Sequence, residues 1–287
     1  MIINNFILDV LKGHWLVEGN AVEQYETLLN NYVKGSFQGT KIDRSGFVAG
    51  LSNASFSPSE EKKEKKIITV PMRGILPAYG GMCILGADDY LSIFRRLNSD
   101  NEVGAVILDI DGPGSSVSAI NLMKEFAEER KKPFVALMNS CYSGHYWTAS
   151  MLCDHLMAYG DISSGFGSIG VLSTVYDDRE ANEKKGYKVK VIRAPQSTTK
   201  AQTMVDFYSG NDDEFTKSLE DEMRPMADAF INAVKEYRPH INQGLEGLFT
   251  GSTFNANVSL ENGLIDSIGN HAKAVERAKI LMELQEE

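Results

Sequence analysis

Short apolar runs, each followed by a turn and then a helical pattern, recur through the middle of this 287-residue chain. AVILDI at 105–110 precedes the turn DGPGSS and a helical pattern from about Val117 to Arg130. FVALM at 134–138 precedes another helical pattern that starts near Ser143. A continuous apolar run is typical of a strand covered on both faces, and strands that alternate with helices need right-handed crossovers. The pattern therefore predicts an α/β fold in which helices cover a largely parallel sheet.

Further segments continue this alternation. IITV and GIL, from Ile67 onward, indicate paired or consecutive short strands before an amphipathic helix. LMAY at 156–159 and KVKVIR at 188–193 predict two more strands. The polar stretch 194–212 lacks a regular pattern and predicts a lid-like loop, whereas the apolar spacing over 212–237 predicts a long helix.

The segments before Ile67 have a different composition. Residues 1–35 contain a helical apolar pattern, and residues 36–66 are rich in Gly, Ser, Asn and Pro and end in the charge run SEEKKEKK. Such a charge run is typical of a solvated segment. The sequence therefore predicts an N-terminal helical arm over 1–35, an exposed linker over 36–66 and a folded domain over 67–287.

Ser143 lies where an apolar run passes into an aromatic helical pattern, within the sequence NSCYSGHYWTAS at 139–150. A serine at a strand-to-helix junction sits in the first helical turn, where free backbone N–H groups and the helix dipole favour a developing negative charge. That environment suits the nucleophile of an acyl transfer. Serine is also a common helix cap, so the junction by itself leaves both interpretations open.

The turn DGPGSS at 111–116 is the second segment with chemical meaning. Its glycines let the backbone expose N–H groups, and the following helix start adds more of them, so the turn can bind an oxyanion. It has neither the Gly-Lys-Ser/Thr ending nor the Gly-x-Gly-x-x-Gly spacing of a phosphate-binding loop. A tight strand-to-helix turn capped by Ser116 or Ser118 is the structural alternative.

A serine nucleophile needs a base, and the histidines offer no clear partner. His145 is two residues past Ser143 and would point elsewhere from a helix start, while His155 has no evident orienting acid. A lysine can serve instead when partial burial disfavours its charged form. Lys200 lies among small hydroxyl residues after a predicted strand and is therefore a candidate base, although most lysines are solvated charges.

Composition narrows the function classes. With 39 acidic and 29 basic residues the formal net charge is -10, and no basic stripe stands out, so we expect no nucleic-acid binding. Three cysteines and five scattered histidines match no metal or disulfide spacing, so we expect no metal, no cofactor and a reducing compartment. The N-terminus has no positive leading segment, and no run approaches the roughly 20 apolar residues of a membrane helix. We therefore expect no signal peptide, no membrane anchor and a cytoplasmic location.

Four motifs in chain order carry a resemblance to a known family. ILDIDGPGS is similar to an apolar strand ending in Asn/Ser-Pro-Gly-Gly, and SGHYWTAS to a Ser-Gly-Gly-Tyr nucleophile segment. Gly167 to Val171 reads Gly-Ser-Ile-Gly-Val, and Gly251 to Gly269 ends in ENGLIDSIG. Together they resemble the serine peptidases of the signal peptide peptidase A and phage protein C family, within the Clp protease and crotonase superfamily. The resemblance covers residues 67–280 and implies that superfamily's repeated β-β-α units.

The resemblance implies catalytic roles for matching residues. Ser143 is the implied nucleophile, Lys200 the implied general base, and Ser168 the hydroxyl that helps to orient the lysine. Family members carry the lysine about two residues earlier after the strand, so this assignment needs a loop insertion, and Lys188 and Lys190 remain alternatives. The implied reaction is cleavage of a protein or peptide substrate through an acyl-enzyme.

The resemblance also implies an oxyanion hole made by backbone N–H groups of Gly114 or Ser115 and of Gly144. Removing such a donor typically costs about 10²–10³ in turnover. Two glycines of the family pattern are replaced here, by Ser115 and by His145. Both replacements narrow the backbone conformations allowed at these two positions. The geometry of the oxyanion hole in this chain can therefore differ from that of the family.

The lack of a recognisable signal peptide and the helical arm are more similar to the phage or prophage branch of the family. The resemblance to that branch implies cleavage of capsid or scaffold proteins during phage head maturation, within assembling heads of an infected bacterial host. The family resemblance also implies a homo-oligomer, a ring or dome whose active sites face an enclosed space.

Two other functions remain open. The replaced glycines and the displaced lysine favour a catalytically weak or inactive family member that acts as an assembly or scaffold-binding protein. A crotonase-type acyl-CoA enzyme would use the same oxyanion geometry. The pairing of Ser143 with the Gly-Ser-Ile-Gly-Val segment is a peptidase feature and argues against that third function.

Overall fold

The computed structural model describes residues 15–17, 65–81 and 84–286. The strands, in chain order, are β1 (Trp15–Val17), β2 (Lys66–Arg73), β3 (Val103–Gly112), β4 (Gly114–Ser116), β5 (Phe134–Tyr142), β6 (His155–Tyr159), β7 (Gly165–Gly167), β8 (Thr253–Asn255) and β9 (Ser267–Gly269). The helices are α1 (Ala87–Ser99), α2 (Val117–Glu129), α3 (Gly144–Leu152), α4 (Arg179–Lys184), α5 (Gln202–Ser209), α6 (Asp212–Tyr237), α7 (Ala256–Glu261) and α8 (His271–Glu286).

The main sheet has the strand order β2-β3-β5-β6-β9, and every neighbouring pair along it is parallel. β7 pairs in parallel with the last residues of β5, and β8 adds to β7 in antiparallel. Parallel neighbours need crossover connections, which α1, α2 and α3 supply. The predicted α/β fold with a largely parallel sheet is confirmed.

Both faces of the sheet are buried because alternate residues of its central strands pack in opposite directions. On β3, Ala105 and Ile107 share a cluster with Ala278 of α8. Val106 and Leu108 of the same strand belong to the larger cluster, which also contains residues of α1, α2 and α3. Burial on both faces explains why the apolar run in the sequence is unbroken.

A cluster of three aromatic side chains packs two of the helices against the sheet. Phe94 of α1, Phe126 of α2 and Phe134 of β5 are all fully buried. Their ring centroids lie 5.2 to 5.6 Å apart, in the range of favourable aromatic pairs. This packing holds α1 and α2 together against the amino end of β5.

α6 packs against the helix that follows Ser143. Phe230 and Val234 of α6 are fully buried, and Trp147 of α3 stacks on Phe230 with ring centroids 4.7 Å apart. The bounds predicted for this helix, 212–237, are confirmed. Among the helices of the described ranges, none combines the length and the apolar character that crossing a bilayer requires.

The predicted N-terminal parts lie largely outside the described residues. Of the arm over 1–35, the structure describes residues 15–17, which form β1 and pair in antiparallel with β4. The helical pattern of that arm lies outside the described residues, as does the linker up to residue 64. Lys66, placed in the linker by the sequence, is the first residue of β2.

Two predictions between β7 and α6 are wrong. Residues 188–193 do not form a strand, and among the described residues no strand pairs with them. Alternating apolar residues favour a strand only where a neighbour supplies ladder hydrogen bonds and packing. The predicted loop over 194–212 contains α5, a helix of eight residues.

Candidate active site

Ser143 occupies the junction between β5 and α3 with φ 51° and ψ -120°. Residues other than glycine rarely adopt this backbone region, and those that do occur preferentially at functional sites. The Ser143 N–H donates to the Gly167 carbonyl at 2.8 Å, and the Trp147 N–H donates to the Ser143 carbonyl at 3.0 Å. These two bonds hold the strained turn in which the strand passes into the helix.

The Ser143 side chain is buried without a partner. The residue is 1% exposed, and its Oγ accepts or donates no hydrogen bond among the described residues. An unsatisfied buried polar group costs roughly 1–3 kcal/mol, and native proteins leave few of them. A strained backbone and an unpaired hydroxyl therefore coincide at the residue that the sequence identifies as the candidate nucleophile.

The start of α3 lies directly against β4. A Cβ placed on Gly144 would fall 2.0 Å from the Ser115 Oγ and 2.9 Å from the Ser115 backbone nitrogen, so only glycine fits there. The Trp147 N–H makes the first intrahelical bond. The N–H groups before it, including that of Gly144, have no intrahelical acceptor. The predicted oxyanion donors Ser115 and Gly144 therefore lie side by side.

β4 itself is held at both edges. Gly114 has φ 134°, a conformation that favours glycine, and a Cβ there would fall 1.8 Å from the Leu16 carbonyl oxygen of β1. At the other edge the Leu76 N–H donates to the Gly114 carbonyl and the Ser116 N–H donates to the Leu76 carbonyl, both at 3.0 Å. Ser115 is fully buried, and its Oγ donates to the Ser116 carbonyl at 3.0 Å. The serine in place of a family glycine is thus accommodated.

Ser168 directly follows Gly167, whose carbonyl accepts the Ser143 N–H. Ser168 has φ 53°, and its N–H donates to the Ser252 carbonyl at 2.8 Å. β8 follows Ser252 and pairs with β7. The motif at 251–269 therefore begins with the segment that holds Ser168 beside the Ser143 junction.

Lys200 lies in an exposed turn just before α5. Its carbonyl accepts a hydrogen bond from the Arg193 side chain at 3.4 Å, and its ammonium has no hydrogen bond or ion pair among the described residues. Because the Ser143 Oγ has no partner there, neither Lys200 nor the alternatives Lys188 and Lys190 bond to it in this conformation. The structure brings Ser143, Ser168 and β4 together, but among the described residues no hydrogen bond joins Lys200 to them.

His145 is fully buried on the other side of the same turn. Its Nε2 would lie 3.0 Å from a Cβ on Gly112. Burial lowers the pKa of His145 to about 4, so the ring is neutral at neutral pH. Neither ring nitrogen makes a full hydrogen bond among the described residues, although the Gly114 backbone lies near enough to favour the protonated form slightly. His145 therefore does not act on the Ser143 hydroxyl here.

Two contacts to the site were missed in the sequence. One is the pairing of β1 with β4, which brings Leu16 opposite Ser115, a predicted oxyanion donor. The other is the Ser252 carbonyl that accepts the Ser168 N–H. Both join segments far apart in the chain through backbone groups, and such contacts leave no periodic or local residue pattern. The family motifs mark the segments and not the bonds between them.

Residues 126–285 match the model of peptidase family S49. The chain belongs to this family. The matched range contains Ser143, Ser168 and Lys200, whereas β4 with its predicted oxyanion donors precedes it.

Two relatives of this S49 chain cover different shares of it. A candidate signal peptide peptidase SppA of Enterococcus faecium is 24% identical over 232 residues, which cover 77% of this chain and 64% of that protein. Protease 4 of Haemophilus influenzae is 29% identical over 205 residues, which cover 69% of this chain and 31% of that protein. The S49 chain thus spans less than two thirds of the length of either relative.

Solved structures show weaker likeness. The membrane-bound stomatin-specific protease 1510-N, as a mutant in complex with a substrate peptide, is 13% identical with a TM-score of 0.47, over 75% of this chain and 80% of that one. An enoyl-CoA hydratase/isomerase family protein from Silicibacter pomeroyi is 14% identical with a TM-score of 0.42, over 77% and 79%. Likeness at this level carries no argument about the activity of the S49 chain.

Proposed function

We propose that this S49 chain is a serine endopeptidase that cleaves protein or peptide substrates through an acyl-enzyme on Ser143. The observation that carries the proposal is the buried, unpaired Ser143 hydroxyl at a strained junction. The N–H groups of Gly144 and Ser115 lie beside that junction. Attack of the Oγ on a substrate carbonyl would develop negative charge at the start of α3, where these N–H groups and the helix dipole stabilise it.

In this proposal Lys200 accepts the proton from the Ser143 hydroxyl, and the Ser168 hydroxyl orients the lysine. Proton transfer between Ser143 and Lys200 requires the segment that carries Lys200 to approach Ser143. The exposed, irregular backbone at 188–193 supports such a rearrangement, because few packed contacts oppose it. Removal of the ammonium from water would then favour the neutral amine that accepts a proton.

The test is labelling of the purified protein by a fluorescent fluorophosphonate, which reacts with activated serines. We expect wild type to label, and Ser143→Ala and Lys200→Ala to lose labelling by roughly 10³-fold or more, because the two groups act as a unit. Ser209→Ala and Lys217→Ala, at exposed positions of α5 and α6, are the matched controls and should label like wild type.

The outcomes separate the alternatives. Labelling that survives Lys200→Ala would show that another group is the base, and Lys188→Ala and Lys190→Ala would then be compared. No labelling of a folded wild-type preparation would contradict the peptidase proposal. It would favour the catalytically weak or inactive family member that acts as an assembly protein.

Two finer parts of the proposal concern partners. We propose a homo-oligomer, supported by exposed apolar side chains between β7 and α6 that a second copy could cover. We also propose capsid or scaffold proteins in phage head assembly as substrates, with the chain acting in the host cytoplasm. The family resemblance of the motifs supports this substrate class. Incubation with the capsid and scaffold proteins encoded in the same genome, with Ser143→Ala as control, tests it by the appearance of cleavage products.

A further inference from the structure

β1 lies far from β4 in the sequence but pairs along the whole of it. Trp15 is opposite Ser116, Leu16 is opposite Ser115, and Val17 is opposite Gly114, in antiparallel register. β4 is the strand that supplies Gly114 or Ser115 to the proposed oxyanion hole. The chain's own residues therefore occupy a strand edge at the candidate active site.

That edge is the one that a substrate would need. Leu76 takes the opposite edge of β4 through its bonds to the Gly114 carbonyl and the Ser116 N–H. Successive residues of a strand turn their peptide groups to opposite edges, so the peptide group of Ser115 faces the edge filled by β1. A peptide that offers its scissile carbonyl to the N–H groups of Ser115 and Gly144 must approach this same edge.

β1 binds in the manner of an extended peptide ligand. Leu16 and Val17 are buried, and Leu16 belongs to the main core cluster of the domain. The Leu16 carbonyl oxygen lies so close to Gly114 that only a glycine fits at position 114. Backbone pairing with a strand edge, together with an apolar side chain in a pocket, is the usual mode of peptide recognition by strand addition.

From these contacts we infer that residues 15–17 are an intramolecular pseudosubstrate, which blocks the substrate edge of β4 until the segment is displaced. The inference rests on the proposed peptidase function. It accounts for a nucleophile that must meet a substrate and yet is 1% exposed. It also defines the external substrate, which binds with a leucine-sized apolar residue opposite Ser115.

The first test compares the rate of fluorophosphonate labelling among full-length variants. Burial of the Leu16 side chain stabilises the state in which β1 is paired with β4 by about 1.5–3 kcal/mol. This corresponds to roughly a tenfold or larger change in the ratio of the paired to the displaced state. Leu16→Asp should therefore label at least about tenfold faster than wild type, and Leu16→Ala should lie between them. Leu284→Asp places the same charge at a 60% exposed position of α8 and should label at the wild-type rate.

A synthetic peptide spanning residues 12–20 supplies a second readout. Added to Leu16→Ala, it should restore slow labelling, whereas the same peptide with Asp in place of Leu16 should not. This readout keeps the inference testable if Leu16→Asp does not fold, as judged by circular dichroism. The inference would be overturned if wild type labelled as fast as folded Leu16→Asp. It would also be overturned if the peptide did not change the labelling rate of Leu16→Ala.

Hydrogen exchange separates this inference from the proposed function. In a Ser143→Ala background, amides of residues 112–118 should exchange faster when Leu16→Ala is added, whether or not Ser143 is a nucleophile. Unchanged exchange would overturn the pseudosubstrate. Faster exchange without labelling of any Ser143-containing protein would support the occupied edge and overturn the peptidase proposal instead.

Discussion

Gly144 and His145 follow Ser143 in the same turn and meet opposite steric demands. The position of Gly144 has no room for a side chain, because a Cβ there would collide with Ser115. His145, where the family pattern has a second glycine, places its ring in the core beside Gly112. The His145 side chain, which replaces a glycine of the family pattern, therefore packs in the interior and does not disturb the contact between α3 and β4.

The neutral burial of His145 makes stability depend on pH. The pKa of His145 is lowered by burial from 6.5 to about 4. Between these values the unfolded chain binds the proton more tightly, so the free energy of unfolding falls as pH falls from 6.5 to 4, by about 3 kcal/mol in all. Above pH 6.5 the ring is neutral in both states and contributes no pH dependence.

Urea denaturation at pH 7 and pH 4 measures this effect. We expect His145→Gln to lose about 3 kcal/mol of the difference between the two free energies of unfolding. His240→Gln, at an exposed position, is the control and should keep the difference. An unchanged difference in His145→Gln would show that this ring is protonated as easily in the folded protein as in the unfolded one.

At the scale of elements, α3 is tied to the C-terminal part of the chain by one buried hydroxyl. Tyr146, fully buried, donates its O–H to the Leu264 carbonyl at 2.8 Å. Leu264 lies in the motif ENGLIDSIG, just before β9. The helix of the candidate nucleophile is thus held by the sheet on one side and by this motif on another.

Removal of the Tyr146 hydroxyl should lower the free energy of unfolding. Tyr146→Phe keeps the ring but leaves the Leu264 carbonyl without its donor, and we expect a loss of about 1–3 kcal/mol in the free energy of unfolding. Tyr159→Phe removes the same group from an exposed side chain and should change stability by less than about 0.5 kcal/mol. Equal urea midpoints for the two variants would contradict a structural role for the Tyr146 bond.

Elements could be predicted where burial leaves a local pattern. α6 and β3 match their predicted positions because each presents a periodic or unbroken apolar pattern to the core. Residues 188–193 carry the alternating pattern of a strand, but among the described residues no strand pairs with them. The local sequence does not show whether a pairing partner is present. Ser143 and Ser168 could likewise be found from local motifs, whereas the pairing of β1 with β4 and the position of Lys200 depend on how distant segments meet.

At the scale of the whole molecule, half of the large apolar side chains that are exposed on the described surface lie in one stretch of the chain. Between β7 and α6 several large apolar side chains are exposed: Val175, Tyr176, Tyr187, Val189, Ile192 and Met204. This is also the segment that carries Lys200 and that lacks a strand where the sequence predicts one. A second copy of the chain that covered these side chains would supply the burial that they lack.

That proposed interface can be tested at Ile192, which is 82% exposed. Ile192→Asp should shift the sedimentation distribution toward the monomer, because a charge buried in an interface without a partner is costly. Ile162→Asp changes a side chain that is 99% exposed outside the segment and should leave the distribution unchanged. A wild-type protein that sediments as a monomer at all concentrations would contradict the proposed homo-oligomer.

The hydrogen bond from the Ser168 N–H to the Ser252 carbonyl has a consequence for the order of events during synthesis. Ser143 leaves the ribosome well before Ser252 and β8, and chains are made at about 5–20 residues per second. A nascent chain that already contains Ser143 therefore still lacks the segment whose Ser252 carbonyl holds Ser168 beside it. Assembly of the candidate site waits for translation of the C-terminal motif, so a partly made chain carries Ser143 without its complete surroundings.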